Sequence, residues 1–303
     1  MYPNTNTDLT RRGFLGGTVA SALTFYASQS HALAADAGKP DNGWQIGCWT
    51  RPWAKYDYRV AMDAVVEAGY KYISFTGAKT KTGRVIATGT SIEEAAKAGD
   101  EAKKRGLKIS YVYGGGLPLH EGPEDLKKMI DRCAAARGRY VVISRIGSEK
   151  QIDHNCKVIA GCCDYATDKN VGLVIKPHGG LNATGKLCRR ALEKVAHKNF
   201  TLLYDPGNVC YYSEGKIDPI IDAATVAGFI SGMCVKDYRH PKNVMITPGT
   251  GQIDFPTLMN QLKKGGFTKG PLAVECLNLG SPQKTLEEAK KARRFVEELV
   301  GIA

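Results

Sequence analysis

From residue 44 to the end of the chain, short apolar runs alternate with segments of helical periodicity, and this alternation constrains the fold more than any other feature. Residues 45–49 read as a strand, and residues 58–68 carry apolar side chains at helical spacing up to a stop at Gly69. A second strand over 71–76 precedes a helix over 91–105, opened by Ser91 with Glu94 three residues on, the spacing of a capping box, and ended by Gly106. Strands over 107–113 and 140–144 are followed by helices over 123–136 and about 150–169. The strand 172–176 leads into a helix reaching residue 196, and the strand 201–204 into a helix in the 218–226 region. The last two units pair 229–235 with a helix over 255–264, and 272–276 with a helix over 285–299. Eight such units predict an α/β chain folded as one (β/α)8 TIM barrel. A doubly wound open sheet would bring a glycine-rich dinucleotide fingerprint; Gly114-Gly115-Gly116 opens no helix in that pattern and reads as a loop that permits close backbone approach.

Ahead of the barrel, Thr10-Arg11-Arg12-Gly13-Phe14-Leu15 precedes a weakly apolar stretch and Ala32-Leu33-Ala34. This predicts a twin-arginine signal peptide over residues 1–34, with a periplasmic or exported mature domain over 35–303. That route carries folded proteins, often with a cofactor already loaded. The first cysteine is Cys48, so no lipid anchor is expected at the cleavage site. Outside the N-terminal stretch no apolar run reaches the roughly 18 residues of a spanning helix, so no integral membrane segment is expected in the mature chain.

The formal charge is +12, and removing residues 1–34 takes away two arginines and one aspartate, leaving +11. The basic residues are dispersed over helical segments without aromatic interleaving, which argues against nucleic acid as a partner. Nine cysteines, an odd number with Cys162 and Cys163 adjacent, read as small buried packing residues rather than disulfides. No C-x-x-C pair exists to hold a structural zinc.

In such barrels chemistry sits at the C-terminal ends of the strands. Lys176, Asp205, Lys236 and Glu275 interrupt or end the apolar runs of strands five to eight. Turned outward they would be buried unpaired against helices, which is costly, so the barrel mouth is their expected place. Lys176 and His178 share a strand face, as do Cys234 and Lys236. Arg51, Trp49 and Trp53 after strand one, Tyr113 after strand three and Arg145 after strand four are further candidates, with Trp53, Tyr113, Arg145, His178 and Lys236 as expected substrate contacts. Lys236 and its neighbour Asp237 could instead satisfy each other. His120, His154 and His197 lack spaced partners and are expected at the surface.

The runs Lys176-Pro177-His178-Gly179-Gly180, Tyr204-Asp205-Pro206-Gly207-Asn208, Val235-Lys236-Asp237, Pro248-Gly249-Thr250-Gly251-Gln252-Ile253-Asp254-Phe255 and Val274-Glu275-Cys276 resemble the xylose-isomerase-like barrels, the sugar phosphate isomerase and epimerase family. The resemblance implies a divalent metal ion (Mn, Mg, Co or Zn) held by a Glu, an Asp, a His and a Glu from strands five to eight. By position these are Lys176, Asp205, Cys234 and Glu275, so two of four slots are substituted. Two arrangements remain open. In one, His178 joins Asp205 and Glu275 as metal ligands; in the other, the Lys176 ammonium replaces the metal and clusters with both carboxylates. The implied chemistry is proton abstraction beside a sugar carbonyl, with Lys176 and Glu275 as catalytic groups and an enediolate stabilised by the metal or by Lys176. The expected partner is a small sugar, keto-sugar or glycoside. Elimination or hydration of a 3-keto-glycoside would use the same intermediate, and a non-catalytic sugar-binding barrel is the remaining alternative.

Overall fold

The structure, a computed structural model, describes residues 43–302; the expected signal peptide over 1–34 lies outside them. Residues 43–302 form one compact unit. Eight parallel strands close into a barrel in chain order: β1 Trp44–Trp49, β2 Tyr72–Phe75, β3 Lys108–Val112, β4 Tyr140–Ile143, β5 Gly172–Ile175, β6 Phe200–Tyr204, β7 Ile230–Val235 and β8 Gly270–Val274. Closure runs through the pairing of β1 with β8, from Trp44 opposite Gly270 to Cys48 opposite Val274. The main helices are α1 Tyr58–Glu67, α2 Ile92–Lys104, α3 Glu124–Ala135, α4 Ile152–Asp168, α5 Gly185–Val195, α6 Pro206–Ser213, α7 Pro219–Ala224, α8 Phe255–Lys264 and α9 Pro282–Val300.

Local chemistry accounts for the helix starts. Ser91 and Glu94 form the predicted reciprocal capping box at α2. Asp57, Thr184, Asp254 and Ser281 each accept a backbone N–H of the turn they open, satisfying donors the helix itself cannot.

The buried apolar residues form two main bodies, one filling the barrel and one between strands and helices, beside a small third cluster of Cys210, Tyr238 and Val244. Inside lie Trp49, Tyr111, Val142, Val174, Leu203, Cys234 and Ala273, with Trp49 stacked on Tyr111 at 5.7 Å and Tyr111 on Tyr140 at 5.4 Å. This plug closes the barrel beneath its mouth, as TIM barrel interiors require. The larger body, including Ile73, Phe75, Leu126, Ile159, Leu192 and Leu258, seals the helices onto the strands.

Two differences from the sequence reading matter. β8 begins at Gly270 and ends at Val274, so Glu275 stands just beyond the strand rather than within it. The helix α6 was not expected, because Pro206-Gly207-Asn208 reads as a turn; Pro206 instead occupies the first helical position behind the cap Asp205. Gly207 is required by close approach, since a Cβ there would lie 2.6 Å from Lys236 Cγ and 2.7 Å from the Lys236 carbonyl oxygen. Among the described residues no helix is long and apolar enough to cross a membrane. All nine cysteines are buried and free, in keeping with the packing role expected of them.

Candidate active site

Lys176, Asp205, Lys236 and Glu275 each follow the last residue of their strand, so four charged side chains converge at the mouth although the strands are staggered, with Ile175 paired to Leu202, Tyr204 to Met233 and Val235 to Val274. There they form a closed ion cluster. Lys176 Nζ lies 3.0 Å from Asp205 Oδ2 and also donates to Glu275 Oε2. Lys236 Nζ lies 2.9 Å from Asp205 Oδ2 and 2.9 Å from Glu275 Oε1, and donates to Asn208 Oδ1 at 3.1 Å. Arg51 Nη1 reaches Glu275 Oε1 at 2.7 Å, the Cys234 thiol donates to Glu275 Oε2 at 3.2 Å, and the Asn208 backbone N–H fills Asp205 Oδ1 at 2.9 Å. Every carboxylate oxygen is therefore occupied.

The frame around the cluster is also fixed. Asn182 Nδ2 donates to the carbonyls of Lys176 and Ser144 at 2.7 and 2.8 Å, and Asn208 Nδ2 to that of Pro177 at 2.7 Å. Lys236 and Asp237 do not pair with each other. Asp237 instead accepts the backbone N–H groups of Tyr238, Gly249, Gly251 and Ile253, so the Pro248-to-Phe255 motif is a loop wrapped on one carboxylate.

Burial sets the charge states. It works against both ammoniums, but the facing carboxylates overcome it, and the pKa values of Lys176 and Lys236 are raised, that of Lys176 well above the usual lysine range. Burial would likewise raise Glu275, yet Lys176, Lys236 and Arg51 hold it well below the usual carboxylate range. The Cys234 thiol is pushed well up by burial and keeps its proton. His178 is lowered to about 4 by burial and by the neighbouring Lys176 ammonium, so its imidazole is neutral at pH 7.

Above the cluster opens a cavity of about 270 Å³ lined by Trp49, Arg51, Thr76, Gly77, Arg84, Tyr113, Lys176, His178 and Glu275. Of the expected residues, Lys176, Glu275, His178 and Tyr113 line it, the last with its hydroxyl 3.1 Å from Ser144 Oγ. Lys236, expected as a substrate contact, is 1% exposed and outside the lining, linked to it through Glu275 and through the Asp205 oxygen it shares with Lys176. Trp53 is a correction: it is 1% exposed within the outer core, and Trp49 supplies the aromatic wall instead. Arg145 is a second, an exposed residue outside the lining. His120 and His154 are exposed, and His197 sits half-buried 3.1 Å from Asp164. Arg84 was missed: it reaches the wall from the loop after β2, where periodicity gives no guide.

The donor atoms of Asp205, Cys234 and Glu275 lie within 4.8 Å of one another, a grouping that could hold a metal. His178 is not part of it, contrary to the metal-ligand set His178, Asp205 and Glu275; its ring faces Tyr113 and Tyr212 at 6.2 and 5.8 Å, and its Nδ1 is buried without a partner. The donor set does not fit a divalent ion. Its oxygens already accept from two buried ammoniums that stand where a cation would, and the sulfur ligand is a protonated thiol beside hard carboxylates. Such an ion would have to displace both lysines.

Comparison with known proteins gives one family and a set of distant structures. Residues 62–299 match the family described as xylose isomerase-like TIM barrel. A structure of L-ribulose 3-epimerase has a TM-score of 0.67 at 17% identity, over 85% of this chain and 95% of that one. A xylose isomerase domain protein from Planctomyces limnophilus has a TM-score of 0.66 at 15% identity, over 84% and 97%. D-psicose 3-epimerase, in the presence of D-fructose, has 0.65 at 14%, over 85% and 99%. At such identities the likeness is one of fold. Among curated proteins none matches the chain in sequence.

Proposed function

This chain belongs to the xylose isomerase-like TIM barrel family, and from that premise we propose that it is a sugar isomerase or epimerase in which Lys176, held in an ion cluster with Lys236, takes the place of a divalent metal in stabilising an enediolate. The observation that carries the reading is the ion cluster itself: two ammoniums bridging Asp205 and Glu275 at the floor of a sugar-sized cavity. The likeness in fold to L-ribulose 3-epimerase and D-psicose 3-epimerase supports the reaction class.

In this reading a keto-sugar binds with its carbonyl oxygen toward Lys176 and Arg51, whose fixed donors stabilise the negative charge that develops there. Lys176 acts as a cation and hydrogen-bond donor, not as the general base, because it keeps its proton. Glu275 is a weak base for the same electrostatic reason, and its work is to hold Lys176, Lys236 and Arg51 in place. His178, whose basicity burial and the Lys176 ammonium also reduce but whose buried Nδ1 has no hydrogen-bond partner, takes the proton from the carbon beside the carbonyl; its return to another carbon or face gives isomerisation or epimerisation. Trp49 offers the apolar face on which a sugar ring stacks. The volume of about 270 Å³ is at the small end for ligand pockets, near 300 Å³; this favours a single sugar unit over a keto-glycoside. The twin-arginine motif supports action after export.

The test is solvent-deuterium incorporation into keto-pentoses and keto-hexoses, followed by NMR, before and after treatment with a chelator. Exchange that survives chelation and falls by roughly 100-fold or more in Lys176→Met is expected. Absence of exchange across the panel would overturn the reaction class, and exchange lost to chelator and restored by Mn²⁺ would overturn the lysine mechanism.

A further inference from the structure

The cavity wall carries more positive charge than the cluster consumes. Arg51, Lys176 and Glu275 are tied to one another or to Asp205. Arg84 is not: among the described residues no carboxylate lies within ion-pairing distance of its guanidinium, although the group is half-buried on the wall of the cavity.

Its position is built by several contacts. The guanidinium lies over the Tyr113 ring at 4.7 Å from the centroid. Gly115 passes close to it, at φ +108°, where a Cβ would come within 3.1 Å of Arg84 Nε. Within the glycine run after β3, Gly115 thus leaves room for this arginine, a use that the proposed reaction does not explain. The Arg84 backbone is fixed as well, by an antiparallel bridge to Gly77 and by Thr80, whose Oγ1 accepts from the Arg84 N–H at 3.0 Å and donates to its carbonyl at 2.6 Å. An arginine stacked on an aromatic ring, flanked by glycine and facing a cavity without its own counter-ion is a receptor for an anion.

We propose that the substrate is an anionic carbohydrate, bearing a carboxylate or a phosphate, and that Arg84 is the specificity-determining residue that receives this group. The inference rests on reading the cavity as the sugar site. Lys176 and Arg51 then address the carbonyl end of the substrate, while Arg84, stacked on Tyr113 in the same lining, holds the charged end, so one small molecule is oriented at both ends. A neutral sugar would leave the Arg84 charge uncompensated.

The experiment compares D-fructose, D-fructuronate and fructose 6-phosphate, which differ only at one end, by calorimetric titration of the full chain at low and high salt. A charge-assisted contact predicts that at least one anionic member binds roughly tenfold or more tighter than the neutral sugar, with the ratio shrinking at high salt. The member that gains identifies the anion as carboxylate or phosphate. In Arg84→Gln the ratio is expected to fall to within about twofold, whereas Arg84→Lys keeps part of it and covers the case in which the glutamine variant does not fold. Equal binding of all three sugars, binding of none of the anionic pair, or a ratio untouched in both variants would overturn the inference. Deuterium exchange judges the reaction separately: anion-selective binding without exchange sinks the isomerase reading and leaves the anion site, and exchange of neutral and anionic sugars at equal kcat/KM does the reverse.

Discussion

Replacing Lys236 by methionine tests whether the ion cluster holds the barrel mouth together. Methionine keeps the unbranched length and fills the space, so the change removes chiefly the charge. Lys236 is 1% exposed and its ammonium bridges Asp205, Glu275 and Asn208 at 2.9, 2.9 and 3.1 Å. Its loss leaves two buried carboxylates sharing Lys176 and the partly exposed Arg51. Breaking a buried ion pair from one side costs about 3–5 kcal/mol, and in a domain of this size each kcal/mol lowers Tm by roughly 2–4 °C. The expected fall in Tm at pH 7 is thus about 6–20 °C. The sign with pH follows from the raised pKa of Lys236: its contribution is complete below the unfolded lysine value of about 10.4 and is lost as pH rises through the higher folded value. The wild-type advantage over the variant should therefore shrink only at strongly alkaline pH. Scanning calorimetry of wild type, Lys236→Met, Asp205→Asn and the double variant closes the cycle; asparagine retains the cap at α6, so the cycle isolates the charge pair. A Tm drop under about 2 °C, or coupling below about 0.5 kcal/mol, would refute the claim that these two groups stabilise each other.

The other two predictions concern His178 and the cysteines. Unfolded histidine binds a proton below about pH 6.5, whereas folded His178 does so only near 4, so stability should fall as pH drops from 7 to 5. Urea unfolding of His178→Gln should show a shallower decline over that window, and an identical slope would mean that the imidazole is not held neutral. Because all nine cysteines are buried and free, a thiol reagent should find none reacting quickly in the native protein and nine per chain after denaturation; a fast native thiol would contradict this packing.

The strands were legible because each is an apolar run bounded by turn residues, and the charged residue that ends a run marks the mouth on its own. Lys176, Asp205, Lys236 and Glu275 needed no further information to be placed at the mouth, only the rule that chemistry in a barrel gathers at the C-terminal ends of its strands. Their partners were harder to read. Lys236 and Asp237 are neighbours in sequence, but successive side chains on extended backbone point to opposite sides, so one turns to the cluster and the other to the loop over 249–253. The helix α6 was hidden because Pro206 and Gly207 have turn chemistry when read singly, and only the Asp205 cap ahead of the proline marks a helix start. Arg84 lies in the stretch between β2 and α2, where no period operates; its position depends on Tyr113 and Gly115, some thirty residues later. Trp53 shows the limit of the aromatic argument, since Trp49 and Trp53 are equally suited to a sugar by type and only the geometry of the first strand separates them.

The two departures from the family's expected ligand set explain each other once Lys236 is included. Set against the ligands that the resemblance implies, a lysine at the strand-five position both removes a carboxylate and supplies an ammonium, which alone would leave Asp205 and Glu275 with one positive charge between them. Lys236, one residue past β7, adds the second, so two ammoniums provide the two positive charges that a divalent ion would carry, bridging the same two carboxylates. With the centre already filled, the strand-seven position has no cation to bind, and a small thiol fits there, donating its hydrogen to Glu275. Cys234 is consequently a packing residue that doubles as a donor. The exchange also alters the chemistry available: an ammonium offers directed N–H bonds rather than vacant coordination sites, so a substrate oxygen must approach Lys176 along a donor direction. That requirement makes the orientation of the far end of the substrate, at Arg84 and Tyr113, matter more than it would around a metal.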